Sequence, residues 1–403
     1  MRSRHILPLV FLVLLASCLC ADWPQWRGPK RDGRSREKGL ARSWPKDGPE
    51  KLWSAKGMGK GYSTVAVVGK TIYVTGMFGG KGKLVALKSD GSIRGKVSYG
   101  AEGGKSYPGA RSTPTIDDGR IYIMSAAGAV ICIGAKNGKI QWQIDTKQEF
   151  GAKDISWHIT ESLLIDGDNL ICTPGGSSLM VALDKKTGRT VWKSKGGPRC
   201  RSAYCSPIVV DHNRKRIILT MVEKGAVGVD AKSGRVLWLH EHKNRHGVHA
   251  ATPIYRKGDV FISSGYGYGA EMLRLSRDGG SVRRQWECKQ LDNHHGGCIR
   301  IGDTIYGTNN RGLLALDFES GKIRWQGRGV GKGSTIAVND MLIVYGEKGT
   351  VGLFTTGDEG CTLVGQFRVN EGDGQHWAHP VVANGRLYIR HGDVLMCYDV
   401  SGR

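Results

Sequence analysis

Histidine is sparse in this 403-residue chain, 12 in all, and it is not scattered. It gathers in short runs beside Trp, Asp and Arg. These are Ser156-Trp157-His158, Arg245-His246-Gly247-Val248-His249, Asp292-Asn293-His294-His295 and Gln375-His376-Trp377-Ala378-His379. Imidazole suits Zn, Cu or Fe. His158, His249, His295 and His379, one from each run, therefore form a candidate metal set, although their spacing matches no established ligand motif. A second reading makes the same runs a polar mouth for an anionic or sugar-like ligand. Its candidates are Trp157, His158, Arg201, Tyr204, His246, His249, Asp292, His294, His295, Lys332, His376, Trp377 and His379, with Arg111 and Arg199 beside them. In a third reading the imidazoles cap strand ends and satisfy water. No Ser-His-Asp signature accompanies them. Gly331-Lys332-Gly333-Ser334 ends like a phosphate loop, but it lacks the earlier Gly and the following helix.

The elements that must position these runs repeat along the chain. Ala182-Leu183-Asp184-Lys185-Lys186-Thr187-Gly188-Arg189-Thr190-Val191-Trp192 is echoed by Ala315-Leu316-Asp317-Phe318-Glu319-Ser320-Gly321-Lys322-Ile323-Arg324-Trp325. Shorter copies end at Trp142 and Trp238, and degenerate ones surround Gly91, Gly280 and Gly360. The turn glycines are 39 to 50 residues apart. That period, with four strands per unit, marks a propeller. Units open on Thr-Pro or Ser-Pro, where a missing N–H costs a strand least, as at Thr113-Pro114, Ser206-Pro207 and Thr252-Pro253. Alternating strands and turns then follow at all-β spacing.

Openings near Ser63, Ser112, Ser162, Ser206, Thr252, Gly297, Ser334 and His379 predict eight units. The last has only three strands, and Glu50-Lys51-Leu52-Trp53 reads as the missing fourth. The expected fold is all-β: a single eight-bladed propeller of four-stranded blades over 50–403, closed by an N-terminal strand that removes free edges. Residues 22–49 are a lead-in of unknown placement. The blade junctions fall at about 101–111, 147–161, 197–205, 243–251, 290–297, 330–333 and 370–379. These windows hold seven of the 11 His after Ala21.

Composition agrees with this plan. The 60 Gly suit many turns, and the 39% apolar content is low for a membrane protein. The pattern Met1–His5, apolar Ile6–Leu15 and then small residues has the layout of a secretory signal over 1–21. Leu15-Ala16-Ser17-Cys18 offers a lipoprotein box and Ala21 an ordinary cleavage site. The expected location is the periplasm or cell envelope, with membrane attachment only through a lipid on Cys18. Removing the segment takes Arg2 and Arg4 and lowers the charge from +23 to +21. An exported basic surface of scattered Lys and Arg does not call for nucleic acid; a solvated monomer is expected. In an oxidising compartment, Cys200 with Cys205 and Cys288 with Cys298 are candidate bridges. Cys132 and Cys397 read as buried thiols.

The Ala-Leu-Asp-x-x-Thr-Gly-x-x-x-Trp unit resembles the docking motif of the pyrroloquinoline-quinone (PQQ) propeller repeat family, over residues 50–403. The resemblance implies that Trp53, Trp142, Trp192, Trp238, Trp286 and Trp325 are structural docking residues between blades. The family holds quinoprotein alcohol dehydrogenases and cofactor-free scaffolds such as the BamB lipoprotein of outer-membrane protein assembly. The lead-in Asp22-Trp23-Pro24-Gln25-Trp26-Arg27-Gly28-Pro29 resembles exported PQQ-like repeat proteins of planctomycete-type bacteria. The quinoprotein branch implies PQQ with Ca²⁺ or a transition metal and a pair of adjacent Cys, which this chain lacks. Glu161, Asp292 and Asn293 are the oxygen donors it offers a hard cation. The reading is therefore an exported binding or scaffold module with no expected cofactor, its partner an envelope protein or an anionic or sugar-like ligand. A quinone- or metal-dependent oxidoreductase using the same mouth is the alternative.

Overall fold

A computed structural model describes residues 22–104, 106–196, 200–357 and 360–402. The expected signal segment with Cys18, and Arg199 of the third junction, lie outside these residues. The described strands form eight antiparallel sheets of four repeat strands each. The second blade shows the pattern: Thr115–Asp117 lies innermost, then Arg120–Met124, Ala129–Gly134 and, outermost, Ile140–Asp145. The eighth sheet is completed by Lys51–Lys56, which pairs antiparallel with Val394–Asp399, Trp53 opposite Cys397. The expected closure by an N-terminal strand is thus the observed one.

Alternation within strands builds the core. Successive side chains point to opposite faces of a sheet. Ile121 and Ile123 therefore pack toward the first blade with Tyr73 and Leu84, while Tyr122 and Met124 pack toward the third with Leu170 and Val181. The buried apolar residues divide into eight clusters, each formed between neighbouring blades. All eight described Cys are free thiols, so neither candidate bridge forms: Cys205 Sγ lies 3.4 Å from Ala251 O, and Cys288 Sγ 3.5 Å from Gln290 Oε1.

The docking motif has a physical basis. Pairing slips register just ahead of Trp53, Trp142, Trp192, Trp238, Trp286 and Trp325. Such a bulge bends the strand and re-aims the side chain. The Trp53, Trp142, Trp192 and Trp286 indoles donate to Ser89, Lys185, Ala231 and Phe318 carbonyls of the following blade, at 3.0 to 3.3 Å. Their rings cover the turn glycines Gly91, Gly188, Gly234 and Gly321, and Trp325 covers Gly360. At Gly188 φ is +75°, and a Cβ would lie 2.8 Å from the Trp142 ring. Trp238 departs from the scheme: its ring lies against Gly228 of its own blade, and its indole N–H has no partner.

The lead-in enters the central channel. Trp23 bridges Val67 of the first blade, and Pro24 O accepts from Ile116 N of the second. Trp26 Nε1 donates to Thr252 Oγ1 of the fifth. Arg34–Ser35 then pairs parallel with the innermost strand of the seventh, Gly333–Val338. Glu37 accepts from Asn384 N and Gly385 N of the eighth. The segment is a plug that rises to Trp26 and returns, and it divides the channel into two mouths.

Candidate functional site

The junction-side mouth is an aromatic pocket of about 290 Å³. Trp157 and Tyr204 reach it from the second and third junctions, His294 and His295 from the fifth, Trp377 and His379 from the seventh. Rings form one connected string around it. Tyr204 lies 6.1 Å from Trp157, which lies 6.1 Å from His246. His246 is 4.6 Å from Tyr266, and Tyr266 is 4.5 Å from His294. His294 is 5.4 Å from His295, and His295 is 5.3 Å from Trp377. Tyr62 and Tyr107 flank Trp377 at 5.2 and 4.8 Å. The floor is Trp26, edge-on to His379 at 4.5 Å. Arg111 is the pocket's guanidinium. It donates to Ser106 O and Tyr107 O and sits over the Tyr62 ring. Among the described residues, no carboxylate lines the pocket. Tyr107, His158 and Tyr266 hold positive φ of 51°, 64° and 65°. Left-handed backbone is costly for residues with a Cβ and is concentrated at sites that need a side chain aimed.

Several sequence candidates serve elsewhere. His249 is buried, with Nδ1 2.6 Å from Ser264 Oγ and Nε2 3.3 Å from Glu223 O. His376 bonds Tyr345 Oη at 2.6 Å and stacks on His391. Asp292 accepts from Gly267 N. Lys332 lies against Glu347 and His294 at the edge of the pocket. Arg201 lies 3.8 Å from Glu223 in a separate surface recess that His246 also borders. His158 packs beside Gly103. Five pocket residues, Tyr62, Tyr107, Thr160, Ala250 and Tyr266, are not among the sequence candidates, and Trp26 was named only as part of the lead-in. Trp26 sat in the unplaced lead-in, and the tyrosines carry no repeat pattern. Aromatic residues outside the repeat positions were the one signal available.

Two imidazoles of the pocket, those of His294 and His379, are held neutral. Burial, with His295 and Lys332 nearby, drives His294 down to about 4. Burial beside Arg27 drives His379 down to about 3. His295 Nε2 faces Glu347 Oε1 at 2.8 Å. The candidate metal set does not converge: His249, His295 and His379 each spend a ring nitrogen on a different neighbour. Among the described residues, no three His, Cys, Asp or Glu side chains gather where they could hold one ion. The donors considered for quinone-bound Ca²⁺ also diverge. Both Glu161 oxygens accept from Thr173 N, Asp292 turns to Gly267, and Asn293 donates to Gly297 O and Thr308 O. Burial raises the Glu161 carboxyl to about 8, so it is mostly protonated at neutral pH. These residues do not fit a Ca²⁺–quinone centre.

A family model described as outer membrane protein assembly factor BamB matches residues 96–327. The quinoprotein alcohol dehydrogenase PedH of Pseudomonas putida is 25% identical over 251 residues, covering 55% of this chain and 39% of PedH. The chain thus spans well under half the length of that relative. BamB from Moraxella catarrhalis superposes with a TM-score of 0.64 at 16% identity, over 87% of this chain and 99% of that one. Quinohemoprotein alcohol dehydrogenase from Comamonas testosteroni gives 0.66 at 13%, over 95% and 81%. Identities this low carry the fold alone.

Proposed function

Because the chain belongs to the PQQ-like propeller family described as outer membrane protein assembly factor BamB, we propose that it is an exported envelope binding module. Its working face is the junction-side pocket, and its ligand is sugar-like. One observation carries this reading: a connected belt of rings surrounds a pocket without a carboxylate. Aromatic faces offer large rigid contact area together with polar edges. They suit a ligand with apolar faces and hydroxyl rims. Most glycoside cleavage uses a pair of carboxyl groups, so the pocket favours holding a saccharide over cutting it. The neutral imidazoles of His294 and His379 and the Tyr hydroxyls supply hydrogen bonds at little cost in desolvated charge.

Trp26, Trp157 and Trp377 make intrinsic fluorescence the natural readout. Titration of the purified protein with chitohexaose, maltohexaose and polygalacturonate is expected to give saturable quenching with at least one of them. Trp377→Ala should weaken that binding about tenfold or more, the equivalent of ~1.4 kcal/mol. Failure of all three to bind, together with PQQ- and Ca²⁺-dependent dye reduction by the same preparation, would replace this reading with the oxidoreductase one.

A further inference from the structure

The other mouth of the channel, on the far side of the plug, has an opposite character. It is a recess of about 220 Å³ between the lead-in and the innermost strands of the fourth, fifth and sixth blades. Six cationic side chains line it, Arg27, Lys30, Arg31, Arg34, Arg36 and Arg300, against one carboxylate, Asp32. That carboxylate is already engaged: Oδ2 lies 2.5 Å from Arg36 Nη2, and Oδ1 accepts from Arg34 N. Glu161, the acid that acts on Arg31, is held largely neutral by burial. The lining of the recess therefore carries a net positive charge.

Two of the cations are almost wholly enclosed. Arg27 is 2% and Arg31 4% exposed. Their positions are fixed by backbone carbonyls of distant blades. Arg27 Nη2 donates to Cys298 O at 2.6 Å, and Arg31 donates to Ser162 O and Leu163 O at 2.7 and 3.0 Å. These bonds leave donors over. Arg27 Nε and Nη1, Arg31 Nε and Arg34 Nε are buried without a hydrogen-bond partner. A buried, unpaired donor on a charged group is costly. Arg27 and Arg31 also take positive φ, 59° and 54°, so the backbone is bent to set them there. Carbonyl contacts alone explain how the guanidinium groups are held. They do not explain why six cations are concentrated in one recess.

We propose that this recess is a binding site for a small tetrahedral oxyanion group, phosphoryl or sulfuryl. Guanidinium forks match the tetrahedral oxygens of such a group. Lys30 and Arg36, exposed at the rim, would meet it first. The group arrives either as the free ion or at the end of a saccharide; the chemistry of the recess is the same for both. Arg27 lies beside His379 of the aromatic pocket, but none of the six cations lines that pocket, and the proposal does not depend on what it binds.

The test is calorimetric titration of the folded protein at about 20 mM NaCl, where surface charge is little screened. The probes are sodium phosphate, sodium sulfate and glucose 6-phosphate, with glucose as control. Saturable one-to-one binding of an oxyanion, absent for glucose, is expected. Equal affinity for phosphate and glucose 6-phosphate marks a free-ion site; tighter binding of the ester marks a carried group. Lys30→Glu with Arg36→Glu changes exposed side chains and should weaken binding at least tenfold. Asp32→Asn keeps the acceptor for Arg34 N and removes the opposing charge. It should tighten binding severalfold, a gain that misfolding cannot imitate. Trp377→Ala should leave oxyanion binding unchanged. Absence of saturable binding, or equal affinity in wild type, the rim variant and Asp32→Asn, would overturn the proposal.

Discussion

Glu161 shows how one residue couples the site to pH. It lies at the foot of the Trp157 junction, 1% exposed, with Thr173 N donating to both its oxygens. Burial raises its carboxyl from 4.5 to about 8. Between those values the native state holds a proton that the unfolded chain has released. Stability conferred by Glu161 is therefore full below about 4.5 and falls as pH rises toward 8. Glu161→Gln is expected to raise the melting temperature by a few degrees at pH 8.5 and to change nothing at pH 4, as read in thermal melts across pH. The site residues were partly legible because Trp157, Tyr204, His294, His295, Trp377 and His379 lie in junction windows that the repeat itself marks. Proximity in those windows could not say which way a ring turns. His249 and His376 are one or two residues from pocket side chains and face their own blades, toward Ser264 and Tyr345.

At the scale of the element, the turn glycine and the indole of the preceding blade form one device. Gly188 and Gly167 make a controlled comparison. Both have positive φ, +75° and +61°, but a Cβ on Gly188 meets the Trp142 ring at 2.8 Å, while nothing lies within 4 Å of Gly167. Gly167→Ala should cost only the left-handed backbone penalty, about 1–2 kcal/mol. Gly188→Ala should cost about 2 kcal/mol more, because a blade interface must also open. Urea denaturation of the two variants checks the difference. The blades were readable because Gly and Trp recur at fixed offsets. The exceptions were not: Trp238 keeps the motif and the register slip, yet turns back onto Gly228. A sequence pattern fixes where a bulge falls, not which neighbour receives the ring.

For the whole molecule, the lead-in changes what the excess charge means. In the sequence the lead-in is a basic, Pro-containing stretch of unknown placement. Here Arg27 and Arg31 are buried because carbonyls at the channel wall, 131 to 271 residues away, accept their hydrogen bonds. No local pattern encodes such partners. Part of the positive charge therefore lies inside the ring rather than over its surface. A chain lacking residues 22–39 keeps Lys51–Lys56 and so keeps the closed ring, but it loses the Trp26 floor. It is expected to melt on the order of 10 °C lower and to lose quenching by the pocket ligand, measured by calorimetry and fluorescence.

Closure by Lys51–Lys56 also imposes an order in time. The strand's partner, Val394–Asp399, lies seven blades further along the chain. Lys51–Lys56 waits, unpaired, until that partner has been made. Contacts this distant in sequence slow folding. The plug must be seated while the ring can still open, since its partners lie on blades throughout the circle. No partial circle of blades contains the pocket. A ring halted or cleaved before Val394–Asp399 would lack the pairing that closes it, so occupancy of the ligand face would report that the ring has closed.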